Sequence, residues 1–348
     1  MIKKITAIIF SIFLMIPLFD IETISLDKSN SSNQKISSIA CASWHDSYET
    51  VEELKNASDL IINGKVVSSK TVFRNNMVFT LSSIQVLSTE KGLVDALDTI
   101  TILQTGGYFE DYYTPPFDEI PLLELNETYK LFLTKTEKLY YLISGGYLGV
   151  LKYNNKEKSD VLTTDNYLFF IGEKETKSND TPTYAYYWNK SKLDVFVPQG
   201  ISTTYGTNTW LGITNGIKVW HENTDSPWAV IVSNSNGADV VVEMSDYGET
   251  GWDANTTTYY DNNNICNYSY MRINTHYLSS YYSTTNLWQA IACHEFGHTL
   301  GLAHNTKNYI IVPSIMHPNT DQYYNVSGIF PKYKKPKAAD KNPIDNKY

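Results

Sequence analysis

The 348-residue sequence has little positive charge to offer an anionic partner. It carries 28 Lys and Arg against 37 Asp and Glu, a formal net charge of −9, and no basic patch stands out. Because a protein that neutralises phosphates needs clustered Lys and Arg, this balance argues against a nucleic-acid partner. The hydrophobic share of 42% is ordinary for a globular chain and can fill more than one core.

Long apolar runs are also missing, apart from one near the start of the sequence. Lys3 and Lys4 precede residues 5–19, an apolar run that is too short to span a bilayer comfortably. We therefore predict a signal peptide at 1–24 and a secreted or cell-surface-associated protein with no stable membrane span. An uncleaved membrane anchor is the alternative, because no clean A-x-A cleavage site follows the run.

Cysteine is scarce, with three in the whole sequence. This number suits an exported protein better than a thiol-dependent cytosolic one. Cys41 follows a Ser-Ile-Ala segment that faintly matches a lipoprotein cleavage site, but it lies far from the apolar run and the usual leucine is absent. Residues 25–43 begin with a stretch rich in Ser, Asn and Lys, and we predict that they are disordered.

The sequence does contain a dense histidine motif, CHEFGHTLGLAH. His294, Glu295 and His298 match H-E-x-x-H, and Gly301 and His304 extend the match to H-E-x-x-H-x-x-G-x-x-H. Residues four apart share one face of a helix, so His294 and His298 suit two ligands of one Zn²⁺. Gly301 allows the helix to stop and turn, which returns His304 as the third ligand. A chance match on an ordinary amphipathic helix is the alternative.

A Ser-Ile-Met-His-Pro segment around Met316 follows the motif. It resembles the Met-turn of the metzincin peptidases, in which a methionine forms a hydrophobic floor under three metal-binding histidines. On these residues the C-terminal half resembles a metzincin zinc endopeptidase, most closely the matrixin group. The resemblance implies that His294, His298 and His304 are the zinc ligands. It also implies that Glu295 is the general base and that Met316 is the Met-turn residue.

Two departures narrow the resemblance. Pro318 stands where astacin-like and serralysin-like members place a tyrosine that serves as an extra ligand. No segment like P-R-C-G-x-P-D occurs upstream, so the cysteine-switch latency of animal matrixins is not implied.

Residues 44–153 are predicted to form a small β-barrel domain. After a short helix at 51–57, five segments alternate polar and apolar residues, at 59–68, 77–87, 98–104, 129–134 and 139–143. The pattern weakly resembles OB-like barrels of the tissue-inhibitor-of-metalloproteinase type, and a generic all-β accessory domain is the alternative. If the resemblance holds, this domain contacts substrate or the catalytic domain.

The remainder is predicted to be a linker at 154–182 and a matrixin-like domain at 183–348. The expected fold class is α+β, with a mixed twisted sheet and an active-site helix. Strands are predicted at 193–197, 228–232, 239–244 and 270–277. Helices are predicted around 210–220, from Asn286 onward and at 339–348. Asn286 with Gln289 resembles a capping box, and Pro343 lies inside the last helix.

A polar loop at 245–264 contains three carboxylates, Asp246, Asp253 and Asp261. They could bind a structural Ca²⁺ through their oxygen atoms, as matrixin loops often do. Solvated loop acids are the commoner case and remain the alternative.

Four further residues in the C-terminal half carry secondary expectations. Export favours a disulfide between Cys266 and Cys293, and two buried thiols are the alternative. His276 and His317 could touch substrate or a second metal, although such histidines more often hydrogen-bond in place.

Together these features predict a secreted zinc endopeptidase that hydrolyses proteins or peptides. Zinc lowers the pKa of its bound water, Glu295 takes the proton, and the hydroxide attacks a carbonyl polarised by the same ion. A non-catalytic extracellular binding or adhesion protein with the same fold is the alternative, although it has no chemical need of Glu295. A protease inhibited by its own barrel is a third possibility.

Overall fold

The computed structural model describes residues 36–46, 48, 50–118, 120–152, 178–277, 284–325, 328 and 331–348. The predicted signal peptide at 1–24 and most of the predicted linker lie outside these residues. No helix in the described part of the chain is both long and apolar enough to cross a membrane.

The first half of the chain is built mainly from strands. In chain order its elements are β1 (Ser37–Trp44), α1 (Val51–Ala57), β2 (Leu60–Arg74), β3 (Met77–Lys91), β4 (Thr99–Thr105), β5 (Gly107–Phe109), β6 (Tyr112–Thr114), β7 (Thr128–Lys135), β8 (Tyr141–Ile143), a 3₁₀ helix (Gly146–Gly149) and β9 (Val150–Lys152). β2, β3, β4, β8 and β7 are neighbours in that order, and pairing of β2 with β7 closes them into a five-stranded barrel. The predicted barrel is confirmed, and each of the five predicted segments matches one of these strands.

Alternation of apolar and polar residues explains why the barrel forms. Val66 on β2, Ile84 and Val86 on β3 and Leu131 on β7 are all fully buried and pack in one core. Side chains alternate across a strand, so the intervening residues face outward. At roughly 25 cal/mol per Å² of apolar surface removed from water, each such side chain contributes about 2 kcal/mol.

The second half combines a sheet with helices. Its elements are β10 (Lys192–Phe196), α2 (Gly200–Tyr205), α3 (Thr207–Lys218), β11 (Trp228–Val232), β12 (Val240–Ser245), β13 (Trp252–Tyr260), β14 (Cys266–Asn274), α4 (Thr285–Thr299), α5 (Thr320–Tyr323) and α6 (Ala338–Asp345). The sheet order is β1-β13-β14-β12-β10-β11. β10, β11, β12 and β14 pair in parallel, and β13 is antiparallel to both β14 and β1. The fold is mixed α+β.

Most elements of this half match their predictions, but the polar loop predicted at 245–264 is wrong. It contains β13, whose first seven residues are all buried. Two of their threonine hydroxyl groups find partners inside the protein: Thr256 donates to Glu295, and Thr258 exchanges a hydrogen bond with Ser269. Because these hydroxyl groups are hydrogen-bonded inside the protein, the segment can form a buried strand although its composition is that of a loop.

The predicted disorder of 25–43 is wrong for residues 37–43, which form most of β1. Their backbone pairs with β13, and Cys41 and Ala42 are buried. Trp44, expected to open the barrel domain, instead ends β1 and belongs to the sheet of the second half. Pairing between distant parts of the chain supplies order that local composition does not indicate.

Helix α4, which carries His294 and His298, packs closely on α3 and begins slightly earlier than predicted. The Thr284 side chain accepts a hydrogen bond from Leu287 N, so Thr284, and not Asn286, is the N-cap. Pro343 lies inside α6 and does not end it.

Candidate metal centre

Two of the three predicted ligands lie one turn apart on α4. His294 and His298 are fully buried, and their Nδ1 atoms lie 2.8 Å from the backbone carbonyl oxygens of Ile315 and Leu302. A carbonyl oxygen only accepts, so each Nδ1 carries the proton and donates it. Each Nε2 therefore presents a lone pair, the form in which an imidazole binds a metal ion.

His304 completes a compact group, which we call the histidine cluster (His294, His298 and His304). Its Nε2 lies 3.2 Å from Nε2 of His298, which in turn lies 3.0 Å from Nε2 of His294. Two lone pairs at this distance repel each other unless a cation lies between them. Ligand nitrogens about 2.05 Å from a tetrahedral zinc are about 3.3 Å apart. The histidine cluster could hold a metal ion through its three nitrogen atoms.

The electrostatics of the cluster also suit a cation. Burial lowers the pKa of His294 well below the ordinary histidine value, and the neighbouring His298 and His304 lower it further. Burial and His304 lower the pKa of His298 in the same way. Both rings are therefore neutral at pH 7 and need not lose a proton before they bind a metal.

Gly301 makes the turn that brings His304 to the cluster, as predicted. Its φ of +94° lies in the region that favours glycine, and its amide donates to the His298 carbonyl at 2.9 Å. A Cβ here would lie 2.9 Å from the carbonyl oxygen of Tyr186. A side chain at this position would therefore strain the backbone and displace His304.

Met316 packs against α4 at the glycine between the two helical ligands. A Cβ on Gly297 would lie 2.9 Å from Cζ2 of Trp220 and closer still to Sδ of Met316. The Met316 carbonyl accepts a hydrogen bond of 2.8 Å from Asn305 N, just beyond His304. The methionine is thus packed beneath the ligand helix and tied to the chain beside the third ligand.

Sequence reasoning missed the residue that anchors this turn. Asp340 on α6 is fully buried and accepts hydrogen bonds from Ser314 Oγ, from Ile315 N at 2.9 Å and from Thr181 Oγ1 at 2.7 Å. Burial raises the pKa of its carboxyl group, and the hydrogen bonds oppose that effect. Because His294 donates to the Ile315 carbonyl, Asp340 positions a backbone group that orients the His294 ring. A lone Asp in a polar C-terminal segment gives no sequence signal of this role.

Glu295 is fully buried, and both of its carboxylate oxygens accept hydrogen bonds. Thr256 Oγ1 on β13 donates to Oε2 at 2.7 Å, and Ser43 Oγ on β1 donates to Oε1 at 2.6 Å. The carboxylate is not a member of the ligand group. Sequence reasoning missed both donors, because Ser43 is 252 positions from Glu295 and β13 was expected to be a loop.

The three aspartates proposed for calcium do not come together. Asp253 and Asp261 lie at opposite ends of β13, about 26 Å apart along an extended strand. Asp261 accepts from the backbone of its own turn, and Asp246 accepts from Gly248 N. Among the described residues the histidine cluster is the only group of three or more His, Cys, Asp or Glu side chains placed to hold a metal ion.

The expected disulfide does not form, and all three cysteines are buried thiols. Cys266 begins β14 near Lys347, whereas Cys293 on α4 lies beside Trp220. Burial raises the pKa of both thiols, to about 12 for Cys266. Neither is prepared to act as a nucleophile.

His276 and His317, the two other histidines considered from the sequence, lie outside the cluster. Both ring nitrogens of His317 lie within 2.8 Å of backbone carbonyls, those of Asn305 and Val312. His276 lies 3.5 Å from Asp246 and packs edge-on against Tyr277. His317 holds the chain between Met316 and the third ligand, which is a structural role.

No known family and no curated protein matches the sequence of this chain. The class of this protein is therefore defined by its fold and its histidine cluster alone. The chain is a mixed α+β protein with a closed barrel, a six-stranded sheet, and a three-histidine cluster, on and just after one helix, that could hold a metal ion.

Proposed function

We propose that the chain is a secreted zinc-dependent endopeptidase of the metzincin type, most similar to the matrixins. The observation that carries the proposal is the histidine cluster with Glu295 beside its first ligand on α4. Three nitrogen ligands are typical of catalytic zinc sites, whereas structural sites use four protein ligands. The sheet order, with one antiparallel strand between β14 and the edge, and the packing of Met316 under the ligand helix support the same proposal.

The residues of the chain divide the chemistry among them. The histidine cluster would hold the zinc, which would supply Lewis acidity and lower the pKa of water beside it toward 7. Glu295 takes a proton from the attacking water on Oε1 and returns it to the leaving amine. Thr256 holds Oε2, which fixes the orientation of the carboxylate. Cleavage of internal bonds in extended polypeptides is the expected activity.

The test compares wild type with Glu295→Gln, which keeps the shape of the side chain but removes its basicity. Glu222→Gln is the matched control, because Glu222 is exposed. Zinc per chain is measured for all three proteins, and casein digests are searched for new internal termini by mass spectrometry. We expect one zinc in each protein, and cleavage that Glu295→Gln lowers at least about 100-fold. Zinc in all three with equal cleavage, or with none, would contradict the proposal, and the second result would favour a binding protein.

A further inference from the structure

The edge of the sheet nearest the histidine cluster is occupied by a strand from the other half of the chain. β1 pairs with β13 along its whole length, from Ser37 opposite Tyr260 to Trp44 opposite Trp252. A bulge falls between Ser43 and Trp44. β1 is antiparallel to β13, so it adds to the sheet as an extended peptide would.

The other edge of β1 is bonded to the segment that follows the Met-turn. Trp44 N donates to the Pro318 carbonyl at 2.9 Å, Trp44 and Asn319 form a parallel bridge, and Asn319 Nδ2 donates to the Asp46 carbonyl. Residues 318–319 and β13 therefore form two sides of a space, which we call the peptide groove. β1 lies inside it.

Inside the groove β1 places a side chain on the proposed general base. Ser43 Oγ donates to Oε1 of Glu295, whereas Thr256 Oγ1 donates to Oε2. Tyr323 OH donates to the same Ser43 oxygen at 3.4 Å, and the Tyr323 ring stacks on His294 at 4.8 Å between centroids. Ser43 thus holds the position at which Glu295 would meet water and substrate.

The barrel half of the chain covers β1 from outside. Asp118 N donates to the Ala40 carbonyl at 2.9 Å, and a parallel bridge joins Ala40 to Phe117. Ala40, Ala42 and Trp44 pack in one core with Phe117 and with residues from β3, β4 and β8. The barrel therefore holds β1 in place as well as following it in the chain.

The docked arrangement also carries an uncompensated cost. Asn255 on β13, opposite Ala42, is fully buried, and neither its side-chain oxygen nor its nitrogen has a hydrogen-bond partner within the described residues. An unsatisfied buried polar group destabilises the arrangement that buries it. This cost lowers the free energy needed to release β1, and an incoming polypeptide could supply the missing partner.

From these contacts we infer that β1, backed by the barrel, fills the peptide groove of its own chain and holds the enzyme in a self-inhibited state. The inference rests on the proposed function for its catalytic consequence, but not for occupancy of the groove. An extended polypeptide gains access when β1 leaves. The observed rate is then the rate of the open form multiplied by the fraction of molecules in that form.

A reversible lock tests this directly in the full chain. Ile39 on β1 and Thr258 on β13 are register partners, and neither contacts Glu295 through a hydrogen bond that the structure describes. The double variant Ile39→Cys with Thr258→Cys places two cysteines at a separation that a disulfide can span. The oxidised and reduced forms of this one protein are compared for zinc content, hydrolysis of fluorescein-labelled casein and alkylation of buried Cys41.

We expect oxidation to leave zinc unchanged, to suppress Cys41 alkylation and to slow casein hydrolysis at least about tenfold. A second variant, Ala42→Asp, buries a charge in the core under β1 and should raise hydrolysis by a similar factor. Ser37→Asp adds the same charge at the half-exposed start of β1 and is its matched control. Equal hydrolysis by the oxidised and reduced forms would overturn the inference.

Binding of the labelled casein separates this inference from the proposed function. If no form cleaves casein, the proposed function fails. Fluorescence anisotropy then measures binding of the labelled casein in the peptide groove independently of cleavage. Tighter binding by the reduced form than by the oxidised form would support occupancy of the groove by β1. Equal binding by both forms would overturn it.

Discussion

The contact between α3 and α4 sets the position of the ligand helix, and one glycine makes it possible. A Cβ on Gly216 would lie 2.8 Å from Cys293 N, 2.9 Å from Cβ of Ala292 and closer still to the Gln289 carbonyl oxygen. Backbone atoms of α4 cannot rotate away as a flexible side chain can. Gly216→Ala must therefore push the two helices apart by about 1 Å.

Overpacking of this kind costs typically about 1–3 kcal/mol. The upper part of that range applies because the obstruction is backbone, whereas the better helix propensity of alanine returns about 1 kcal/mol. We expect a net loss of about 2 kcal/mol in the free energy of unfolding, and a fall of about 5 °C in Tm. Zinc affinity should fall too, because Gly216 faces the turn that precedes His294.

Gly200→Ala is the matched control, because nothing lies within 4 Å of a Cβ there. It begins α2 and should leave stability unchanged or raise it by up to about 1 kcal/mol. Urea unfolding and thermal melts of the two variants and wild type provide the assay. A Gly216→Ala protein as stable as Gly200→Ala would refute the reasoning.

Three further predictions concern the site and its surroundings. Gly301→Ala should weaken zinc binding at least about tenfold by equilibrium dialysis, because its φ of +94° strains any side chain and moves the third ligand. Thr256→Val should lower kcat more than it raises KM, since it removes the donor that orients Glu295 without touching the ligands; an unchanged kcat would contradict this. Burial lowers the pKa of His45, but its hydrogen bond to Asp253 and the nearby carboxylates raise the pKa overall. Protonated His45 should therefore stabilise the fold below pH 6.5, and this stabilisation should be lost as the pH rises through the raised pKa. Unfolding of wild type and His45→Gln across this range should show the dependence in wild type alone.

The histidine cluster could be predicted from the sequence because its geometry is local. Four-residue helical spacing and a glycine turn place His294, His298 and His304 within eleven consecutive positions, with no knowledge of the rest of the fold. Gly301 has the positive φ that this reasoning required. The barrel strands were accessible for the same reason, since alternation is read within each segment.

The surroundings of Glu295 could not be predicted, because they come from distant parts of the chain. Thr256 belongs to a strand whose polar residues resemble a loop, and Ser43 belongs to a segment whose neighbours resemble disorder. Both strands are defined by pairing with each other and not by local pattern. The role of Asp340 could not be predicted from the sequence either, because its buried hydrogen-bond partners come from other segments.

The most direct test of the central claim is a zinc titration of the metal-free chain with hydrolysis followed at each step. Chelated wild type and Glu295→Gln receive zinc in increments, and cleavage of labelled casein is measured beside bound zinc. Both proteins should saturate at one zinc per chain, wild-type activity should rise to a plateau at that point, and Glu295→Gln should stay at background. Activity that does not follow zinc occupancy, or a Glu295→Gln protein as active as wild type, would contradict the central claim.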